Sequence, residues 1–221
     1  MALGLKRLLD VTLAGGALLV GAPLLAVLAA AVKLDSPGPA MFVQTRVGRG
    51  GRPFRIMKLR TMTTGGEGAQ ITAHGDKRIT RVGALLRRTK LDELPQLWNV
   101  VRGDMSIVGP RPEVPDYVAR YRPEWRPLLD VRPGLTDLAS LSFRGEEELL
   151  ALAHDRERAY TEVVMPMKLQ LALEGLERSS VADDLRLIAQ TALAVIRRGG
   201  DDPIVEEARR RIEDLNAETT S

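Results

Sequence analysis

Two adjacent carboxylates, Asp92 and Glu93, stand at the start of a predicted short helix. Proline is tolerated only in the first turn of a helix, so Pro95 favours Asp92 as the N-cap. Neighbouring helical residues point in different directions, so the two carboxylates could take different tasks around one reacting group. A helix start attracts anions, and carboxylates bind divalent cations. The stretch therefore fits either a phosphate- and metal-handling site or an ordinary capped, charge-balanced helix start.

Cations cluster on both sides of this pair in the sequence. Residues 46–60 contain six Lys or Arg and no acid, residues 77–90 contain six more, and the acids gather toward the C-terminus. Such asymmetry indicates an anionic partner: a nucleotide, a lipid phosphate, a membrane surface or a nucleic acid. Aromatic residues make up only 4% of the chain, which offers few base-stacking platforms, so we expect no nucleic acid partner. The absence of cysteine excludes disulfides and thiolate metal sites.

Lys58 and Arg60 from the first cluster, together with Arg111, are candidates for phosphate contact. Arg111 lies between Pro110 and Pro112, which restrict the backbone and preorganise one guanidinium for a phosphate or a carboxylate. The alternative is a rigid turn with an idle arginine. Lys58 and Arg60 lie on a predicted strand, where the alternative is a solvated basic edge strand.

The N-terminal segment predicts a membrane helix. Residues 11–32 carry no charge, which is enough to cross about 30 Å of hydrocarbon. Pro23 at its middle predicts a kink, and cations at both ends draw both ends to the cytoplasmic side. A re-entrant helix that enters one leaflet and returns satisfies both observations. A helix that simply spans the membrane is the alternative. Asp10 beside Arg7 fits either a pair at the membrane interface or an ordinary helix-end pair.

The remaining patterns predict an α+β, mostly helical fold with one small β-hairpin and amphipathic interfacial helices. We expect three parts: a membrane-embedded helix over 1–34, a cytoplasmic catalytic domain over 35–200 and a C-terminal helical extension over 201–221. The predicted strands are 41–46 and 53–62, and the predicted helices after them are 76–88, 146–162, 166–178, 181–198 and 202–217. The last helix could be a homodimer contact or a loosely held tail. We predict core or interfacial positions for the aromatic residues Tyr117, Tyr121 and Trp125. The two histidines, His74 and His154, are predicted to be exposed.

In combination, several motifs resemble a known family over roughly residues 5–198. They are Lys6-Arg7 with Asp10, Pro37-Gly38-Pro39, Phe54 with Lys58-Leu59-Arg60-Thr61-Met62, Leu91-Asp92-Glu93-Leu94-Pro95-Gln96-Leu97-Trp98-Asn99-Val100, Arg102-Gly103-Asp104-Met105-Ser106 and Val108-Gly109-Pro110-Arg111-Pro112. The chain resembles the bacterial sugar transferases, the monotopic phosphoglycosyl transferases that start glycan assembly on a polyprenol phosphate. Any one of these motifs alone is weak, but their combined order is specific.

The resemblance implies a reaction and its participants. Asp92 would attack the sugar-linked phosphorus of a UDP-sugar, release UMP and carry the sugar phosphate covalently, and Glu93 would help undecaprenyl phosphate attack that intermediate. Mg²⁺ would sit against Asp92 and the diphosphate. The phosphate contacts would come from the cations Lys58, Arg60, Arg87, Arg88 and Arg111. The enzyme would work at the bacterial inner membrane, with its catalytic domain on the cytoplasmic face.

Two departures from the family pattern limit what transfers. The family often has Ser-Pro at the break in its membrane helix, where this chain has Ala22-Pro23, and residues 137–146 differ from the family's usual segment, so the sugar is not implied. Two other functions stay open: a nucleotide-sugar pyrophosphatase, which would use water as acceptor, and a non-enzymatic basic membrane adaptor.

Overall fold

The computed structural model describes residues 3–63, 76–178, 180–196 and 202–220. The α-helices are α1 (Leu3–Asp35), α2 (Arg81–Thr89), α3 (Gln96–Arg102), α4 (Pro115–Val118), α5 (Leu138–Ser142), α6 (Glu146–Leu150), α7 (Arg156–Ala159), α8 (Met165–Glu177), α9 (Val181–Ile196) and α10 (Pro203–Thr220). The strands are β1 (Met41–Val47), β2 (Pro53–Leu59), β3 (Ser106–Val108) and β4 (Gly134–Thr136). The predicted mostly helical architecture with a small hairpin is confirmed.

Strands β1 and β2 form the antiparallel hairpin, with Met41 paired to Leu59 and Val47 to Pro53. Its turn requires glycine, because Gly50 and Gly51 have φ angles of 69° and 73°. The second strand is shorter than predicted. It ends at Leu59 rather than at residue 62, so the residues after it leave the sheet.

Strands β3 and β4 form a parallel pair that holds the proline-arginine loop, residues 109–112, close to the core. The two backbones approach so closely that a Cβ added to Gly134 would lie 2.2 Å from the Gly109 nitrogen. Only glycine allows that approach. The start of the Gly109–Pro112 loop is therefore held against the backbone around residue 134.

The largest hydrophobic core lies in the C-terminal half. It includes the predicted anchors Tyr117 and Trp125, both buried, with Tyr121 packed beside them. Helix α10 belongs to the same core, because Ala208 and Ile212 are fully buried. The prediction of a loosely held tail is therefore wrong, since the apolar face of α10 packs within its own chain.

Helix α1 is continuous from Leu3 to Asp35, with Pro23 inside it. One side packs on the domain: Ala14 is buried against the β2–α3 region and Val32 against β2 and α2. The other side exposes apolar residues, including Leu19 and Val20. It is the one helix among the described residues that is long and apolar enough to cross a membrane.

Two predicted helices have different bounds in the structure. Helix α2 begins at Arg81 rather than at residue 76, because the Thr80 side chain caps it by accepting a hydrogen bond from Gly83 N. The predicted helix over 146–162 divides into α6, α7 and a π-helical turn, Tyr160–Val164. His154 is exposed, as expected, and His74 lies outside the described residues.

Candidate active site

Asp92 and Glu93 lie in a 3₁₀ turn, Leu91–Glu93, between α2 and α3. Lys90 precedes them in the left-handed conformation (φ 56°), and its N–H closes the end of α2. Helix α3 begins only at Gln96, with Pro95 at its N-cap position. The prediction that Asp92 caps this helix is therefore wrong: the reversal at Lys90 starts a separate turn that buries both carboxylates.

Glu93 is bound by two cations from different parts of the chain. Its Oε1 accepts hydrogen bonds from Lys58 Nζ at 2.9 Å and from Arg111 Nη2 at 2.7 Å. Burial alone would raise the pKa of Glu93, but the charges of Arg111 and Lys58 outweigh burial and hold that pKa well below its usual value. Glu93 is therefore ionised and joins the hairpin to the proline-arginine loop.

Asp92 has the opposite environment. Its side chain is buried, and Oδ1 has no hydrogen-bond partner among the described residues. Burial raises the pKa of Asp92 above its usual value, although the Lys58 charge opposes that effect. The two neighbouring carboxyl groups thus have pKa values displaced in opposite directions, a pattern typical of paired carboxylates with separate roles.

Asn99 fastens α3 to the strand that carries Lys58, through two hydrogen bonds that the sequence analysis did not predict. Its side chain accepts a hydrogen bond from Met57 N at 3.1 Å and donates one to Arg55 O at 2.8 Å. Helix α3 is thereby fastened to β2 at the residue before Lys58. Burial lowers the pKa of Lys58, and the Glu93 charge opposes that effect.

Arg111 is positioned by a second buried hydrogen-bond network, which no sequence pattern predicts. Glu113 accepts hydrogen bonds from Tyr160 Oη at 2.5 Å and from Arg46 Nη1 at 3.4 Å. Arg46 also donates to Pro112 O at 3.2 Å, which fixes the loop directly after Arg111. Burial and the nearby Glu113 charge raise the pKa of Tyr160 well above its usual value, so Tyr160 stays a hydrogen-bond donor.

Arg87 and Arg88 differ from each other in the structure. Arg87 is half-buried, with its guanidinium bound to the Glu147 carboxylate and 3.4 Å from the Thr61 hydroxyl. Its charge acts to lower the pKa of Asp92. Arg88 is exposed and forms no ion pair within the described part of the chain. Only Arg87 of the two is therefore oriented by its neighbours.

Arg60 is buried at the end of α1 rather than beside the carboxylate pair. Its guanidinium donates to Ser36 O at 2.7 Å, to Val32 O at 3.2 Å and to Pro37 O. These carbonyl groups close the C-terminus of α1, where a cation also complements the helix dipole. Arg60 was predicted to contact a phosphate, and in the structure its guanidinium instead binds backbone carbonyl groups at the end of α1.

Arg7 and Asp10 fasten the start of α1 to the domain and do not pair with each other. Asp10 is buried and accepts hydrogen bonds from Ser106 Oγ at 2.8 Å and from Ile107 N at 3.0 Å. Arg7 donates to the carbonyl oxygens of residues 100 and 101 at the end of α3, at 2.6 and 2.9 Å. Neither of the two predicted pairings is present, and both ends of α1 are anchored on the domain.

Comparisons with known proteins identify one family model and several relatives that match this chain. The family model described as bacterial sugar transferase matches residues 1–198. The chain is 50% identical over 157 residues to a UDP-glucose:undecaprenyl-phosphate glucose-1-phosphate transferase of Caulobacter vibrioides, covering 68% of this chain and 59% of that protein. It is 38% identical over 209 residues to the exopolysaccharide production protein PSS of Rhizobium leguminosarum bv. phaseoli, covering 90% and 98%.

A third relative is a UDP-N-acetylgalactosamine-undecaprenyl-phosphate N-acetylgalactosaminephosphotransferase of Aeromonas hydrophila, 44% identical over 144 residues. The match covers 62% of this chain and 34% of that protein, so the chain spans only part of the length of several relatives. The family match extends from the start of α1 through the carboxylate pair and the proline-arginine loop into α9. The resemblance predicted from the motifs is confirmed: this chain belongs to the bacterial sugar transferase family.

Proposed function

We propose that the protein transfers a sugar 1-phosphate from a UDP-sugar to undecaprenyl phosphate, through a covalent intermediate on Asp92. The observation that carries this proposal is the contrast within the carboxylate pair: Glu93 is held by two cations, whereas Asp92 Oδ1 is buried and has no hydrogen-bond partner among the residues that the structure describes. The relatives' names supply the substrate classes, a UDP-sugar donor and an undecaprenyl-phosphate acceptor.

In the first half-reaction an Asp92 carboxylate oxygen attacks the sugar-linked phosphorus of the donor. A carboxyl-oxygen-to-phosphorus bond forms, the bond to the bridging oxygen of the diphosphate breaks, and UMP leaves with that electron pair. Lys58 and Arg111 lie against the neighbouring Glu93, so their charges are available to offset the negative charge of the diphosphate. The raised pKa of Asp92 reflects a carboxylate poorly solvated by water, which favours its reaction at phosphorus.

In the second half-reaction a phosphate oxygen of the lipid attacks the same phosphorus, and the bond to Asp92 breaks, which restores the carboxylate. A phosphate monoester has a second pKa of about 6, so the acceptor is already largely deprotonated at neutral pH. Glu93, with its lowered pKa, is a weak base. We therefore propose that Glu93 positions Lys58 and Arg111. For Glu93 to assist the attack of the acceptor phosphate directly, one of these two ion pairs must open first.

A divalent cation such as Mg²⁺ fits the donor set at Asp92. Its Oδ1 is a buried carboxylate oxygen that no group in the described part of the chain hydrogen-bonds, and oxygen ligands of this kind suit Mg²⁺. The described residues contain no group of three metal-ligating side chains, so Asp92 would be the main protein ligand and the diphosphate would complete the binding. When bound, the cation would neutralise charge on the diphosphate.

We also propose that α1 is re-entrant, with the catalytic domain on the cytoplasmic face of the inner membrane. The anchoring of both ends of α1 on one domain supports this topology, because Arg7 binds the end of α3 and Arg60 binds the end of α1. The exposed apolar residues Leu185 and Leu193 on α9 support an interfacial position for that helix.

The chain has no cysteine, so single cysteines that replace Gly4 and Pro39 can be labelled specifically in intact cells to test the topology of α1. Labelling on opposite sides of the membrane would exclude the re-entrant helix.

The activity is tested with purified protein, a panel of UDP-sugars and a short polyprenol phosphate. We expect release of UMP, with one or a few sugars preferred, and formation of a polyprenol diphosphate sugar. Release of free sugar phosphate without the polyprenol acceptor would indicate a pyrophosphatase instead. An Asp92→Asn variant as active as the wild type would exclude the covalent mechanism.

A further inference from the structure

Gln96, on the first turn of α3, has a buried side-chain amide whose nitrogen is left unpaired by the described residues. The residue is 1% exposed, and its Nε2 has no partner among the described residues. Leaving a buried polar group without a hydrogen bond destabilises the folded state. Groups of this kind are rare in native proteins, and each of them calls for an explanation. The Gln96 amide therefore requires an explanation other than folding stability.

The backbone brings Gln96 to the carboxylate pair. Backbone hydrogen bonds between residues three apart continue from Leu91 to Trp98, and the connecting residues Leu94 and Pro95 are both helical. On a helical path, residues three and four apart share a face, with Cβ atoms about 5–6 Å apart. Gln96 is three residues after Glu93 and four after Asp92. An unpaired amide donor and an unpaired carboxylate oxygen thus share one face of the same short segment.

Asn99 shows by contrast what a structural amide looks like in this helix. It is also 1% exposed, but its side chain bonds to Met57 N and Arg55 O. Asn99 therefore fastens α3 to β2, whereas Gln96 fastens nothing among the described residues. The two buried amides of α3 therefore differ as a structural residue and a ligand-binding residue are expected to differ.

We propose that Gln96 is a catalytic residue whose amide donates a hydrogen bond to a non-bridging oxygen of the phosphoryl group transferred to Asp92. The inference rests on the proposed function. As Asp92 attacks, negative charge on those oxygens needs a donor that is already in place. Lys58 and Arg111 are bound to Glu93, while the Gln96 N–H groups can bind the phosphoryl oxygen without first breaking a protein hydrogen bond.

The test compares Gln96→Met, which keeps the length of the side chain and removes the donor, with two controls in the full chain. Ser36→Ala removes a hydroxyl at the end of α1 that is also buried and has no hydrogen-bond partner within the described ranges, and Asn99→Ala removes the structural amide. Each protein is melted with and without Mg²⁺ and beryllofluoride, a mimic of a phosphoryl group on a carboxylate, and UMP release is measured.

We expect Gln96→Met to melt at or above the wild-type temperature, to lose about 10²-fold in turnover and to show a smaller beryllofluoride shift. Ser36→Ala should keep wild-type turnover, and Asn99→Ala should melt lower. A melting temperature for Gln96→Met that falls as it does for Asn99→Ala would assign Gln96 a structural role and overturn the proposal. Wild-type turnover with an unchanged shift would also overturn it. If beryllofluoride does not raise the melting temperature of even the wild type, this face has no phosphoryl site and the inference fails. The proposed function is decided separately, by whether the wild type releases UMP.

Discussion

Arg111 and Glu93 form an ion pair in which Arg111 Nη2 lies 2.7 Å from Glu93 Oε1. Lys58 Nζ approaches the same oxygen at 2.9 Å. One carboxylate oxygen therefore joins the proline-arginine loop, the hairpin and the 3₁₀ turn. This division leaves the neighbouring Asp92 as the carboxylate with an unpaired oxygen.

Glu93→Gln should destabilise the protein, because it leaves the Lys58 and Arg111 charges without their partner. Breaking a buried ion pair costs about 3–5 kcal/mol, and the partial exposure of Arg111 reduces our expectation to roughly 2–3 kcal/mol. The pKa of Glu93 is lower in the folded state than its usual value of 4.5. Ionised Glu93 therefore contributes fully to the free energy of unfolding above pH 4.5, and that contribution is lost as the pH falls through the pKa of the folded state. Denaturant unfolding should therefore show a difference from wild type at pH 7 that shrinks only at strongly acidic pH. Equal stability of the two proteins at pH 7 would contradict the ion-pair assignment.

Asp92→Asn should abolish turnover and stabilise the fold. We expect a loss of about 10⁴-fold or more, as for removal of other enzymatic nucleophiles. Because the pKa of Asp92 is raised in the folded state, its ionised form costs stability once the pH exceeds the usual value of 3.8. The melting temperature of the variant should exceed that of the wild type at pH 7, and the gap should close toward pH 3.8. A variant that is less stable than wild type at pH 7 would contradict this environment for Asp92.

Arg60→Met should act mainly on stability, whereas Arg111→Met should raise the donor KM and also lose the stability of its ion pair with Glu93. Arg60 loses its bonds to three carbonyl oxygens at the end of α1, at a cost of roughly 2–4 kcal/mol. Thermal unfolding and steady-state kinetics on both variants check this division. A donor KM that rises as much for Arg60→Met as for Arg111→Met would return Arg60 to the substrate site.

Glu147→Gln should release Arg87 for a phosphate ligand. The Glu147 side chain is 41% exposed, so its ion pair is worth about 0.2–1 kcal/mol, and the KM for a phosphate-bearing substrate should fall by up to about fivefold. Glu148→Gln is the matched control, because it removes the same charge from an exposed neighbour that does not contact Arg87. A rise in KM for Glu147→Gln alone would mean that Glu147 holds Arg87 in its productive position.

The sequence allowed the centre of the site to be predicted, because its signals are local. Adjacent carboxylates, a strand lysine and an arginine between two prolines carry their chemistry in their types and spacing, and Asp92, Glu93, Lys58 and Arg111 do meet in the structure. Arg60 was harder to assign, since a strand continuing past Leu59 would have placed it on the same face as Lys58. The strand ends instead, and Arg60 turns to α1.

The supporting contacts could not be predicted, because they join residues that are distant in sequence. Tyr160 reaches Glu113 from a π-helical turn, and Asn99 reaches β2 from α3, without any local pattern that announces either contact. The wrong N-cap at Asp92 has a similar cause. Lys90 adopts a left-handed conformation that glycine or asparagine would signal and lysine does not.

Mass spectrometry of the protein incubated with its UDP-sugar donor alone tests the central claim most directly. We expect a sugar-phosphate adduct on the peptide that contains Asp92, absent from Asp92→Asn and removed when polyprenol phosphate is added. The absence of any adduct on Asp92, under conditions in which the same preparation turns over donor and acceptor, would contradict a covalent intermediate on this residue.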